Sequence, residues 1–155
     1  MVRYIVFTVL FLVCSEGLYA NERFGLGIVL GEPTGLTGEV VVSEAQSVDA
    51  ALSFEEDIYL HATYLFHQKQ ITPVQGARWT WYVGAGAFFE DRDTKPDPID
   101  DGDDDVFIGP RGSLGSKMRF KNQPFEVFAE LALNLALISE TDSDLGIALG
   151  GRVRF

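Results

Sequence analysis

Residues 125–137 read FEVFAELALNLAL, and the reading of this stretch decides the fold. Drawn as a helix, it is a Leu/Ala-rich amphipathic segment that follows Pro124. Drawn as a strand, it sets Phe125, Val127, Ala129, Leu131, Leu133, Leu135 and Leu137 on one face, against Glu126, Phe128, Glu130, Ala132, Asn134 and Ala136 on the other. Four leucines at a strict spacing of two, Leu131 to Leu137, choose the strand, because successive side chains of an extended chain point to opposite faces.

The same period runs outward in both directions. Residues 24–31, 36–43, 48–55, 58–67, 79–89, 106–120 and 145–155 each present one apolar face. With 125–137 they predict eight strands. Glu32-Pro33-Thr34-Gly35, Glu44 to Ser47, Glu56-Asp57, Lys121 to Pro124 and Ser139 to Asp144 supply polar or Gly/Pro-bearing turns. Two connections are longer, Gln68 to Ala77 and the segment centred on 91–105. Pro110 within a strand predicts a bulge or an unpaired position there.

The 155 residues suffice for one compact domain and exclude a multidomain enzyme. The net charge of -11 argues against nucleic acid as a partner, since such binders neutralise phosphates with basic side chains. Seven of those negative charges sit in residues 90–105, where nine acids face two bases. Residues 1–20 read as a secretory signal peptide: a positive start at Arg3, an apolar stretch from Tyr4 to Val13, and a tail ending at Ala20. That apolar stretch is shorter than the ~20 residues a membrane-spanning helix needs. Cys14 is the one cysteine, so cleavage after Ala20 leaves a chain, 21–155, with no disulfide. A lipidated Cys14 is the weaker reading, because bulky Val13 precedes it.

The faces that lack large apolar residues are rich in Gly, Ala, Ser and Thr with charges of both signs. Small residues suit the crowded inside of a narrow barrel, where inward charges must pair, rather than a water-facing sheet surface. The expectation is therefore an all-β, eight-stranded antiparallel transmembrane barrel with a polar, side-chain-filled lumen and its apolar face outward. With both termini on the periplasmic side, Phe24, Tyr64, Phe66, Trp79, Trp81, Phe120, Phe125 and Phe155 fall on one rim, as an aromatic girdle does. Phe54 and Phe89 serve the opposite rim.

On these residues the chain resembles the small eight-stranded outer-membrane barrels of the OmpA/OmpX type. Its close, Leu149-x-x-x-Val153-x-Phe155, resembles the signal that the outer-membrane assembly machinery reads in its clients. More narrowly, Gly25-x-Gly27, Gly31-Glu32-Pro33-Thr34-Gly35-Leu36-Thr37-Gly38 and Tyr64-Leu65-Phe66-His67 are similar to a family of small bacterial outer-membrane proteins. The first resemblance implies a bacterial outer-membrane location, with lipid, lipopolysaccharide and the barrel assembly machinery as partners, and a monomer. The second implies no activity.

Within the lumen, Glu126, Glu130, Arg111, Lys117, Arg119, Arg152 and Arg154 are expected to form a charge network, because neighbouring strands lie ~4.8 Å apart and an unpaired charge there costs several kcal/mol. Glu130 is expected to pair with Arg152 or Arg154. His61 and His67 also face inward, and no serine beside either in the sequence spells a nucleophilic pair, so they read as lumen filling and the protein as no enzyme. No cofactor is expected. Asp100, Asp101, Asp103, Asp104 and Asp105 crowd carboxylates as hard-cation sites do, but miss the D-x-[DN]-x-[DN]-G spacing. A solvated, self-repelling loop is the preferred reading, with divalent cations bridging it to lipopolysaccharide as the alternative. The expected function is a structural or interaction role through external loops. A narrow solute pore is the alternative, and a lipid A-modifying enzyme the second.

Overall fold

The computed structural model describes residues 22–53, 58–68, 73–92, 105–137 and 142–155. The predicted signal peptide, Cys14, Phe54 and residues 93–104 of the acidic segment lie outside them. The elements are β1 (Phe24–Gly31), β2 (Gly35–Ser43), β3 (Gln46–Ser53), β4 (Ile58–His67), β5 (Pro73–Val74), β6 (Ala77–Arg92), β7 (Asp105–Phe120), β8 (Phe125–Ala136) and β9 (Asp142–Arg154). Each strand runs antiparallel to its neighbours in the order β4-β3-β2-β1-β9-β8-β7-β6, and β4 pairs with β6 to close the sheet. Eight strands thus form the wall of a closed barrel. The ninth, β5, is a two-residue arm on the foot of β6, turned through Gln75 and Gly76, whose φ of 83° a glycine adopts without strain. It occupies part of the predicted connection 68–77, and is too short to leave an alternation in the sequence.

Residues 125–137 behave as their alternation requires: along β8 every second residue is exposed and every other one buried, from Phe125 to Ala136. The apolar set faces out on all eight wall strands, with Leu26, Leu36, Leu60, Leu114, Leu131 and Ile147 among the exposed side chains. Phe24, Phe66, Trp81, Phe120 and Phe125 are exposed at the end that carries the termini. Tyr64, Trp79 and Phe155 there, and Phe89 at the other end, are half-buried.

Pro110 makes no bulge. Its pairing with Ala87 on β6 sits in an unbroken register from Ala77↔Phe120 to Arg92↔Asp105. The Ile108 carbonyl accepts a hydrogen bond from the Leu137 amide, so Pro110, two residues on, turns its missing N–H toward the same neighbour, β8. Register pairs with β8 begin only at Arg111↔Asn134. The proline therefore stands where that ladder ends, which is the unpaired position its chemistry demands.

The barrel closes at its termini. The Phe24 amide donates to the Phe155 carbonyl at 3.2 Å and the Phe155 amide donates back to the Phe24 carbonyl at 3.0 Å. Inside, two rings find room only because a glycine stands directly across from each. Tyr82 pairs with Gly115 and Phe128 with Gly150, and a Cβ at either glycine would strike the ring.

Candidate functional site

The inward faces bring charge from five strands to one level of the lumen, toward the termini. Arg152 on β9, 3% exposed, is its centre. Its guanidinium donates to Thr37 Oγ1 at 2.7 Å, to Glu39 Oε2 at 3.3 Å, to Glu126 Oε1 at 3.4 Å and to Asp49 Oδ2. It also lies over the Phe128 ring, 4.1 Å from the centroid. Arg154 donates to Glu39 Oε2 at 3.0 Å and Glu126 Oε2 at 2.9 Å, and to the Glu22 carbonyl at 3.0 Å. The Lys117 ammonium donates to Glu39 Oε1 and stands 4.0 Å from Glu126 Oε1. Arg119 reaches the same Glu126 carboxylate at 3.5 Å. Glu126 is fully buried and Glu39 nearly so. Four cations therefore share three carboxylates, and each buried acid has at least two basic partners or a base and a histidine, as a low-dielectric interior requires.

One level further along the axis stands a separate pair. Arg111 Nη2 donates to Glu130 Oε1 at 2.5 Å, and the Tyr82 hydroxyl donates to Glu130 Oε2 at 3.0 Å. Arg111 Nη1 donates to Asn134 Oδ1 and the Tyr59 hydroxyl, at 3.1 and 3.2 Å. Beyond it Phe88, Phe107 and Ala136 pack together with Tyr59 against them.

All seven predicted lumen residues face inward, and the structure divides them. Glu126, Lys117, Arg119, Arg152 and Arg154 meet in the first group, and Arg111 and Glu130 form the second. The expected pairing of Glu130 with Arg152 or Arg154 is corrected: across the strands Arg152 faces Glu126, and the Phe128 ring separates its level from that of Glu130. Glu39 and Asp49 were not among the candidates, although their alternation put both inward. They sit directly opposite each other on β2 and β3, a repulsive arrangement that Arg152 relieves from across the lumen.

A serine does meet a histidine here, contrary to the reading of the sequence. Ser47 Oγ lies 2.7 Å from His67 Nε2 through contact between β3 and β4, not through sequence adjacency. Glu39 Oε1 approaches that same nitrogen at 3.7 Å, while buried His67 Nδ1 has no partner and Ser47 is 0% exposed. Among the described residues no carboxylate orients the ring from its far nitrogen, as a nucleophile-activating relay needs. His61 Nε2 stands 3.1 Å from Asp49 Oδ1.

Of the acidic candidates, Asp100, Asp101, Asp103 and Asp104 lie outside the described residues, and Asp105 opens β7. Among the described residues no three His, Cys, Asp or Glu side chains group as metal ligands would. Leu149 points outward, 60% exposed, while Val153 and Phe155 are half-buried.

No protein-family profile matches the sequence, and no curated protein does. The fold is similar to a solved structure, the N-terminal β-barrel domain of OprF from Pseudomonas aeruginosa, with a TM-score of 0.53 and 14% identity over 85% of this chain and 95% of that one. The likeness is one of fold: an eight-stranded, all-antiparallel closed barrel.

Proposed function

We propose that the protein is an outer-membrane barrel with a structural or interaction role, its termini on the periplasmic side. The observation that supports this is the inversion of its two faces. Leu30, Leu149 and Ile147 stand 56%, 60% and 66% exposed while Glu39, Glu126, Arg152 and Arg154 are buried. In water such a wall would present a continuous apolar surface far larger than a soluble monomer carries. In lipid it is the arrangement a closed barrel needs, because closure leaves the sheet without a free edge and the charges are shielded inside. The rim of exposed aromatic rings at the end with the termini fits a headgroup boundary.

External contact belongs to the loops at the far end. Strands β6 and β7 stay paired to Arg92↔Asp105, beyond the first register pair of β7 with β8 at Arg111↔Asn134. Lipopolysaccharide with bridging divalent cations, or an external protein, is the proposed counterpart. Leu149, Val153 and Phe155 are the proposed contact for the assembly machinery and residues 1–20 the removed signal. Side chains fill the lumen at three successive levels, which supports a plug over an open solute pore. The similarity of the Gly31–Gly38 segment to small outer-membrane proteins agrees with this reading and adds no activity.

The test is fractionation followed by gel migration. Protein from the outer-membrane fraction should run differently unheated and boiled, as a folded barrel does, and recovery in detergent-free soluble form would overturn the proposal. Planar-bilayer recordings should show no stable conductance. Lipid A from a deletion strain should keep its mass.

A further inference from the structure

At the end that carries the termini, the lumen widens into a cavity of about 680 Å³. Four of the residues that line it form a compact patch on two strands: Arg78 lies directly across from Arg119, and Thr80 across from Lys117. Two arginines and a hydroxyl thus share one corner of an aqueous recess, with the buried Lys117 ammonium behind them on Glu39. Like charges directly opposite on neighbouring strands repel, and this pair has little to offset it. Arg119 is the outermost of the four cations that share three carboxylates. Its nearest acid oxygen, Glu126 Oε2 at 3.5 Å, already accepts from Arg154 at 2.9 Å. Among the described residues the Arg78 guanidinium has no ion-pair or hydrogen-bond partner.

From this corner we infer an anion site that binds a phosphoryl group. Two arginines on neighbouring strands line the recess with chemistry that suits a phosphate, since a planar fork can donate two parallel hydrogen bonds to adjacent oxygens, while the Lys117 ammonium, held by Glu39, adds positive potential from behind. Thr80 adds a hydroxyl donor. The cavity also carries Glu22 and Glu44. Those carboxylates disfavour an extended polyanion and select a ligand with a single phosphoryl group. The recess opens along the barrel axis, so a soluble phosphate or phosphate monoester enters it directly, while a lipid headgroup would have to bend inward from the rim. The inference depends on the closed barrel and on its charged mouth, not on which compartment that mouth faces.

Isothermal titration of the refolded barrel with inorganic phosphate tests it, in neutral detergent at low ionic strength with chloride as the reference anion. Wild type should give saturable binding that chloride at equal ionic strength does not reproduce. Arg78→Gln and Arg119→Gln should each weaken it about tenfold or more, the scale of a lost charge-assisted hydrogen bond, and the double variant should abolish it. Arg23→Gln, across the cavity, should stay within about twofold. Unheated gel migration confirms that each variant is folded. A parallel titration with phosphatidylglycerol added to the micelles identifies the source: suppression of phosphate binding assigns the site to a lipid headgroup, and unchanged binding assigns it to a soluble phosphate. Wild type without saturable binding, or a folded double variant that binds as wild type does, overturns the site.

Discussion

The two ends of the lumen are filled by different chemistry. Toward the termini, charges from β2, β3, β7, β8 and β9 meet across the barrel, so Arg152 touches groups more than a hundred residues away in sequence, Thr37, Glu39 and Asp49. Toward the far end, Tyr59, Phe88, Phe107 and Ala136 come from β4, β6, β7 and β8, which are neighbours along the wall. The charged end therefore ties opposite walls together with hydrogen bonds and ion pairs, whereas the apolar end packs adjacent strands through apolar and ring contacts. The difference predicts intolerance of single changes at one end and tolerance of like-for-like changes at the other.

The largest effect should come from the fully buried carboxylate that four cations share. Glu126→Ala leaves Arg152, Arg154, Lys117 and Arg119 to compete for Glu39 and Asp49, and should destabilise the barrel by about 3 to 5 kcal/mol in a urea titration in lipid. The loss should change little between low and high salt, since buried pairs are weakly screened. A loss within about 0.5 kcal/mol would mean that the charged end does not hold the walls together.

Glu130→Ala comes next, at about 3 kcal/mol, because Arg111 then loses its buried partner. A double-mutant cycle sharpens the division into two levels. Glu130→Ala should couple to Arg111→Ala by more than about 1 kcal/mol and to Arg154→Ala by less than about 0.5. Strong coupling to Arg154 would merge the two levels into one.

Gly115→Ala tests the boundary between the ends. Its methyl group must displace the Tyr82 ring, whose hydroxyl holds Glu130, so a loss of about 1 to 3 kcal/mol is expected, with a partial rescue by Tyr82→Leu. An unperturbed Gly115→Ala barrel would show that the ring position is not fixed by its glycine. The smallest effect belongs to the apolar end: Phe88→Leu should cost less than about 1.5 kcal/mol by the same titration, since the swap stays hydrophobic and gives up only the stacking on the Tyr59 ring, whose centroid lies 6.1 Å away, and no hydrogen bond or ion pair. A cost as large as that of Glu126→Ala would erase the contrast.

Alternation alone determined the eight wall strands, the face each residue takes and the gathering of aromatic rings at one rim. A side chain in an extended strand has only two directions, so a period of two in residues 24–31 or 125–137 reports its own face locally. The unpaired position at Pro110 was legible for the same reason, since a missing amide is a property of the residue itself. Which inward charges meet was not legible. Glu39 and Asp49 carried the right parity, yet β2 and β3 lie two and three strands from β9, and their contact with Arg152 runs across the lumen rather than along the sheet. The same holds for Glu130, whose choice of Arg111 over Arg152 depends on the level at which the Phe128 ring separates them. Ser47 and His67 meet through a strand pairing that spans twenty residues. Strand parity is written in each residue and its neighbours, but the stagger of one wall against the opposite wall exists only once the sheet has closed, and that closure decided the partners.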